Sequence, residues 1–259
     1  MIYMTALAPF WRYYGGKNRA AKLYPSPEHD TVVEPFAGAA GYACMYPHRR
    51  VILVDKSPII TGIWRYLIGA TEREILALPD IPTGGTVDDM RGAPQEARWL
   101  AGFWLNSGAT HPGRTASARA RKFGQDAPNW CGWGWRPRER VASQLHAIRH
   151  WRVIQGDYSA APDIVATWHI DPPYNNKAGA YYKHQPDSFA DLGDWCRSRR
   201  GLVMVCENDG ADWLPFRPLA NIKSNEGRSA KGRSAEVIWT NRTPLLRAGG
   251  QRVFTWGAA

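Results

Sequence analysis

Short apolar runs recur along the chain, and most of them end in a polar or glycine-bearing turn. Thr31-Val32-Val33, Val51-Ile52-Leu53-Val54, Val153-Ile154-Gln155, the run from 164 to 170 and Leu202-Val203-Met204-Val205-Cys206 are short and rich in β-branched residues, so they read as buried strands. Longer stretches between them are periodic at helical spacing. Residues 59–77 place Ile60, Ile63, Trp64, Leu67 and Ile68 on one face, and 96–107, 141–149 and 189–199 also read as helices. Strands alternating with helices predict an α/β domain with a mostly parallel sheet. Residues 236–241 close the pattern as a further strand, and 253–256 are compatible with one more at an edge.

The alternation fails between 70 and 149. Pro79, Pro82, Gly84, Gly85, Gly92 and Pro94 break it, and 108–140 is loop-rich and basic. The expected organisation is one domain from 1–69 and 150–259, interrupted by an inserted region at 70–149. A chain of 259 residues is long enough for that.

Charge sharpens the picture. The formal net charge is +10 and the isoelectric point about 9.6, which fits a polyanionic partner such as double-stranded DNA. Cys44, Cys131, Cys196 and Cys206 form no C-x-x-C pair, and the histidines show no ligand spacing, so neither a metal nor a disulfide framework is expected. The start lacks a basic segment followed by an apolar one, and no stretch is apolar enough to span a membrane; the expectation is a cytoplasmic protein with no membrane partner.

The candidate chemistry sits at the predicted strand ends. Asp171-Pro172-Pro173-Tyr174 follows the run 164–170. Two prolines stiffen the loop and remove two N–H donors, leaving carbonyls, one carboxylate and one aromatic face. Such a set can accept from an exocyclic amine, stack a flat base and stabilise positive charge on nitrogen. Glu34-Pro35-Phe36-Ala37-Gly38-Ala39-Ala40-Gly41 follows the first strand and forms a small-residue turn before a helix-compatible run at 42–46. It departs from G-x-G-x-x-G, which argues against a dinucleotide pyrophosphate. Asp55, at the end of the second strand, either holds a ribose diol or caps the next helix, a task Ser57 with Pro58 could serve equally well. Asp157 is either a ligand acceptor or a turn aspartate. In Tyr13-Tyr14-Gly15-Gly16-Lys17 the glycines allow close backbone approach and Lys17 can pair with a carboxylate. The polar stretch 175–188, with Tyr181, Tyr182 and Lys183, reads as a mobile lid.

The basic insert carries Arg114, Arg119, Arg121, Lys122, Arg136 and Arg138 around Trp130, Trp133 and Trp135. Arginines interleaved with aromatics suit phosphate contact and groove insertion; equally, the tryptophans could be the core of a small domain and the arginines its wet face. As a set, the arginines are assigned to DNA, with Trp133. Lys223, Arg228 and Lys231 lie in a second basic stretch that suits a phosphate-binding loop.

Taken in order, these segments resemble the alpha-class, Dam-like DNA adenine-N6 methyltransferases of bacteria and phages. The resemblance spans about 10–69 and 153–241, and includes Cys206-Glu207-Asn208-Asp209-Gly210-Ala211-Asp212-Trp213-Leu214 and the strand at 236–241. It implies a class I methyltransferase sheet, Rossmann-like, with an antiparallel hairpin near its end and an inserted target-recognition region. It implies S-adenosyl-L-methionine as cofactor, with Tyr14, Gly15 and Lys17 at the methionine, Glu34, Pro35, Phe36, Ala37 and Gly38 in the cofactor turn, Asp55 on the ribose, and Asp157 on the cofactor's adenine. Asp171, Pro172, Pro173 and Tyr174 become the catalytic loop, with Asp171 also beside the cofactor. The family usually ends its turn in Gly-x-Gly; here Ala40 precedes Gly41, a shift in that spacing. Cytosine N4, RNA, a protein glutamine, and a non-catalytic nucleic-acid-binding relative remain alternative readings of the same pattern.

Overall fold

The computed structural model describes residues 5–17, 20–82, 84–116, 132–223 and 233–242. Seven strands form one sheet: β1 (Thr31–Glu34), β2 (Arg50–Asp55), β3 (Arg152–Gln155), β4 (Val165–Ile170), β5 (Arg200–Asn208), β6 (Arg217–Lys223) and β7 (Arg233–Thr240). Their spatial order is β3-β2-β1-β4-β5-β7-β6. The first five are mutually parallel, and β7 runs antiparallel to both β5 and β6. The α/β expectation holds, with a Rossmann-like sheet order.

The pleat sends successive side chains to opposite faces. Val32, Val51, Leu53, Leu202, Met204 and Ile238 enter one core, while Val33, Ile52, Val54, Trp168, Val203 and Val205 enter another. The strands therefore read as unbroken apolar runs, because both faces are covered. Leu192 and Cys196 of α5 (Phe189–Ser198) cover the second face. The first face is covered by α1 (Pro58–Gly69) and the helices after it.

The predicted helix at 59–77 is two helices. α1 begins at Pro58 behind the Ser57 cap and stops at Gly69. Thr71 then starts α2 (Glu72–Leu76) with a capping box, its side chain accepting from the Glu74 N–H while the Glu74 carboxylate accepts from the Thr71 N–H. Periodicity alone runs through that break. The helix expected at 96–107 is α3 (Gln95–Leu105). The one expected at 141–149 begins earlier, as α4 (Trp135–Ala142), with Pro137 in the first turn where its missing N–H has no helical partner to lose; a 3₁₀ turn, Leu145–Ile148, follows. The predicted strand at 253–256 lies outside the described residues.

The described residues of 70–149 share the core of the sheet domain. Leu100, Phe103 and Trp104 of α3, Trp133, and Val141 of α4 belong to the same buried cluster as Trp64 and Leu67 of α1. The described part of the insert is thus a helical layer that packs on the sheet domain. Among the described residues no helix is long and apolar enough to cross a membrane.

Candidate active site

Strand order reverses between β1 and β4, which leave the sheet as neighbours with their following segments diverging. Parallel sheets open a crevice beyond the carboxyl ends at such a point. A cleft of about 210 Å³ lies there, lined by 13–17, 34–41, 55–60, 157–159 and 182–187, with His169, Asp171 and Pro173. The separately assigned turns thus share one cavity.

The turn after β1 is held from three sides. The Ala37 N–H donates to Val54 O, the Gly38 N–H donates to Asp55 Oδ2 at 3.0 Å, and the Trp64 indole N–H donates to Gly38 O at 2.8 Å. Gly38 has φ +44°, and a Cβ there would meet the Tyr13 ring at 3.1 Å. Ala40 has φ +49°, in the left-handed region that favours glycine. Ala40, just before Gly41, therefore adopts a glycine-favouring conformation despite its methyl group.

Asp55 accepts from Gly38 and, at 2.8 Å through Oδ1, from the Ser57 N–H. Each oxygen has one backbone donor and keeps capacity for another. Burial pushes this carboxyl up to about 6 against those two bonds. The helix cap is Ser57 and not Asp55, which braces the turn before α1 and lines the cleft. Asp157 takes the Ser159 N–H at 2.9 Å and the Ser159 hydroxyl at 2.6 Å on one oxygen, Oδ1, which lowers its pKa. It is a turn aspartate that also lines the cleft, beside the ring pair Phe36 and Tyr158 at 5.9 Å.

At the other end lies a compact charge cluster. Lys17 Nζ stands 2.8 Å from Asp171 Oδ1, 3.7 Å from Glu236 Oε1, and 4.6 Å above the centre of the Tyr174 ring. Burial alone would depress the Lys17 ammonium; the two carboxylates outweigh it and the net direction is up. Burial raises Asp171, opposed by Lys17 and His169. Glu236 Oε1 also accepts from the Tyr174 hydroxyl at 2.7 Å and the Tyr24 hydroxyl at 2.9 Å. Asp171 and Pro173 line the cleft, Pro172 is buried, and Tyr174 is half-buried with Lys17 over its face.

Beside the cluster, His169 is buried with Nδ1 3.4 Å from Glu34 Oε2 and Nε2 3.5 Å from Cys206 Sγ, and its ring stacks on Tyr42 at 4.7 Å. The other Glu34 oxygen accepts from the Ala43 N–H at 2.6 Å. Glu207 accepts from the N–H groups of Asn175 and Asn208 and from the Trp213 indole, so it ties the segment after Tyr174 to the end of β5. The stretch 175–188 is docked: the Tyr182 hydroxyl donates to Tyr14 O at 2.8 Å.

Among the described residues, those assigned to DNA do not form one group. Trp133 is fully buried and its indole donates to Pro79 O at 3.0 Å, so it is core and not a contact surface. Arg138 is largely buried, bonded to Leu78 O and paired with Asp80 at 2.8 Å; it braces the loop after α2. Arg114 is exposed and paired with Asp88. Arg136 is exposed against the Trp135 ring, itself 60% exposed. Arg119, Arg121, Lys122, Arg228 and Lys231 lie outside the described residues, and of Lys223 only the backbone is described, at the end of β6.

Glu236, Tyr24 and His169 are the site residues that sequence reading passed over, whereas Tyr182 is part of the stretch 175–188 read as a lid. A carboxylate inside Ala235-Glu236-Val237-Ile238-Trp239 was the available signal for the first, since an acid in a buried strand needs a partner. Among the described residues no group of three or more His, Cys, Asp or Glu converges as a metal site. The chain matches no protein-family model and no curated protein.

Proposed function

We propose that the protein is a site-specific DNA methyltransferase that moves a methyl group from S-adenosyl-L-methionine to N6 of an adenine flipped out of duplex DNA. The observation that carries this reading is that the Glu34–Gly41 turn, Asp55, Asp157 and Asp171 line one cleft at the switch point of the sheet. A donor pocket and an acceptor loop that were assigned separately thus share a wall. The finer fold reading, a class I methyltransferase sheet, is supported by the β6/β7 hairpin at the end where the resemblance expects one.

The residues fit the cofactor. Asp55 has acceptor capacity for a ribose diol, Phe36 and Tyr158 offer apolar rings, and Gly38 lets the backbone come close. Bound there, S-adenosyl-L-methionine would supply an electrophilic methyl group. Asp171 and the Pro172 carbonyl would accept from the amine, orient its lone pair and keep water from it. The new N–C bond would form as the methyl–sulfur bond breaks, so the positive charge passes to that nitrogen, where the Asp171 carboxylate would stabilise it in a site of low polarity until the nitrogen loses a proton to solvent. An adenine amine is a poor base, so Asp171 acts by orientation and charge rather than by deprotonating it first. Tyr174 is the stacking surface. Lys17 now occupies that place, against Asp171 and over the ring, so entry of a base requires its ammonium to shift.

Lys17 departs from the resemblance in one respect: its ammonium is engaged at the acceptor end, not reserved for the methionine carboxylate. A DNA substrate would place the enzyme in the cytoplasm of a prokaryote or of a phage-infected cell.

The test is incubation with methyl-labelled S-adenosyl-L-methionine and mixed-sequence duplex DNA, digestion to nucleosides, and identification of the labelled one, with Asp171→Ala in parallel. Label in N6-methyladenine, lost in the variant, is expected. Label in cytosine would keep the mechanism and overturn the base. Cofactor binding with no label in DNA would overturn the DNA reading and favour RNA or protein.

A further inference from the structure

We propose that Glu236 is a positioning residue of the acceptor pocket: it fixes the Tyr174 ring through its hydroxyl and receives the Lys17 ammonium when an incoming base displaces it from Asp171. The inference rests on the methyltransferase reading and names what that reading lacks, a destination for Lys17.

The topology explains why a residue of β7 is present at all. The cleft lies at the carboxyl ends of the parallel strands. β7 is reversed, so its early residues reach that level; Glu236 pairs in register with Asn208, the last residue of β5. The side chain is 5% exposed, and its Oε1 takes hydroxyls from both Tyr174 and Tyr24. Two phenols on one carboxylate oxygen fix that oxygen's position, and the bond to Tyr174 fixes the plane on which a base would stack.

The distances describe a short transfer. Lys17 Nζ is 2.8 Å from Asp171 and 3.7 Å from Glu236. A charge-assisted hydrogen bond forms at about 2.8 Å, so a movement of about 1 Å completes the second pair, with the ammonium taking the place of the Tyr24 phenol on Oε1. If Lys17 instead left the pocket, Asp171 and Glu236 would remain as two buried like charges with only the His169 imidazolium, itself beside Glu34, as a nearby cation, which is costly. With Glu236 as receiver the charge count is unchanged: the ammonium stays beside a carboxylate, and Asp171 is released to the amine. No bond to carbon is made or broken in this step.

The test compares Glu236→Gln, Lys17→Met and the double variant with the wild type on the duplex that the wild type methylates. Glutamine keeps the shape and accepts from the phenols, but gives the ammonium no charge to move to. Glu236→Gln is expected to raise the KM for DNA at least ten-fold, with cofactor affinity within two-fold of wild type by calorimetry. Lys17→Met is expected to lower kcat/KM in the wild-type background and to raise it in the Glu236→Gln background, where the trapped ammonium is the obstacle. A change in the same direction in both backgrounds overturns the transfer. If Glu236→Gln does not fold, a wild-type complex with that duplex and S-adenosylhomocysteine decides: Lys17 Nζ closer to Glu236 than to Asp171 supports the proposal, and Lys17 still on Asp171 overturns it. Absence of methyl transfer by the wild type would sink the underlying reading, and the proposal with it.

Discussion

The Gly38 N–H donates to Asp55 Oδ2 at 3.0 Å, so the turn after β1 hangs from the acid that ends β2. That one bond makes Asp55 both a brace and a wall of the cleft. Its carboxyl is raised by burial to about 6. A ribose diol donates to the ionised form, so binding below pH 6 must first expel a proton. Cofactor affinity should therefore be flat above about pH 7 and fall toward ten-fold per unit below about 6. Asp55→Asn should abolish the dependence and weaken binding by roughly 10–100-fold, the value of hydrogen bonds to a charged group. Calorimetry from pH 5 to 8 checks this; an unchanged wild-type affinity at pH 5 would remove Asp55 from the cofactor.

His169 makes a stability prediction. Burial would lower its pKa, but Cys206 and Glu34 outweigh burial and hold it near 10. The folded value lies above the unfolded value of about 6.5. The contribution is thus complete below about pH 6.5 and declines as pH rises toward 10. The clean window is about 6.5 to 8.5, before unfolded cysteine thiols ionise. Urea midpoints should fall across that window in the wild type, and the fall should vanish in His169→Gln. Equal wild-type midpoints at the two ends would show a neutral imidazole.

Gly15 and Tyr182 are coupled. Gly15 has φ +66°, and a Cβ there would lie 2.5 Å from the Tyr182 hydroxyl oxygen. Gly15→Ala therefore meets two costs: about 1–2 kcal/mol for the left-handed backbone, and displacement of the hydroxyl that bonds Tyr14 O. Tyr182→Phe removes the obstructing atom. The destabilisation by Gly15→Ala should be smaller in the Tyr182→Phe background, and both single variants should loosen cofactor binding by freeing the segment over the cleft. Strict additivity in thermal melts would mean that the two positions do not meet in solution.

Much of this site could be read from the chain because parallel strands expose their ends. Apolar runs ending in Glu34, Asp55 and Asp171 necessarily bring those acids to one edge once the strands are parallel. Glu236 escaped the same logic because β7 is reversed, which puts a strand's beginning where the others have their ends. The break between α1 and α2 escaped because a capping box at Thr71 and Glu74 is local chemistry that hydrophobic periodicity passes over. The tryptophans of the insert were ambiguous for a different reason. An indole has both a large apolar body and one donor, so it suits a core with a nearby carbonyl as well as a stacked base. Only packing separates Trp133, buried on Pro79 O, from Trp135, exposed under Arg136.

That separation can be measured. Trp133→Ala opens a cavity in the shared core and should cost about 3–5 kcal/mol of stability. Whatever fraction stays folded should bind DNA with the wild-type salt dependence, because no phosphate contact is lost. Arg136→Ala should leave the thermal midpoint within a degree or two of wild type, since an exposed cation over an exposed ring contributes little. It should instead weaken DNA binding across sequences and reduce the slope of log K against log salt by about 1. Titrations at three salt concentrations beside thermal melts distinguish the two residues. An unchanged salt slope in Arg136→Ala would take that arginine out of the DNA interface, and a reduced one in Trp133→Ala would return the buried tryptophan to it.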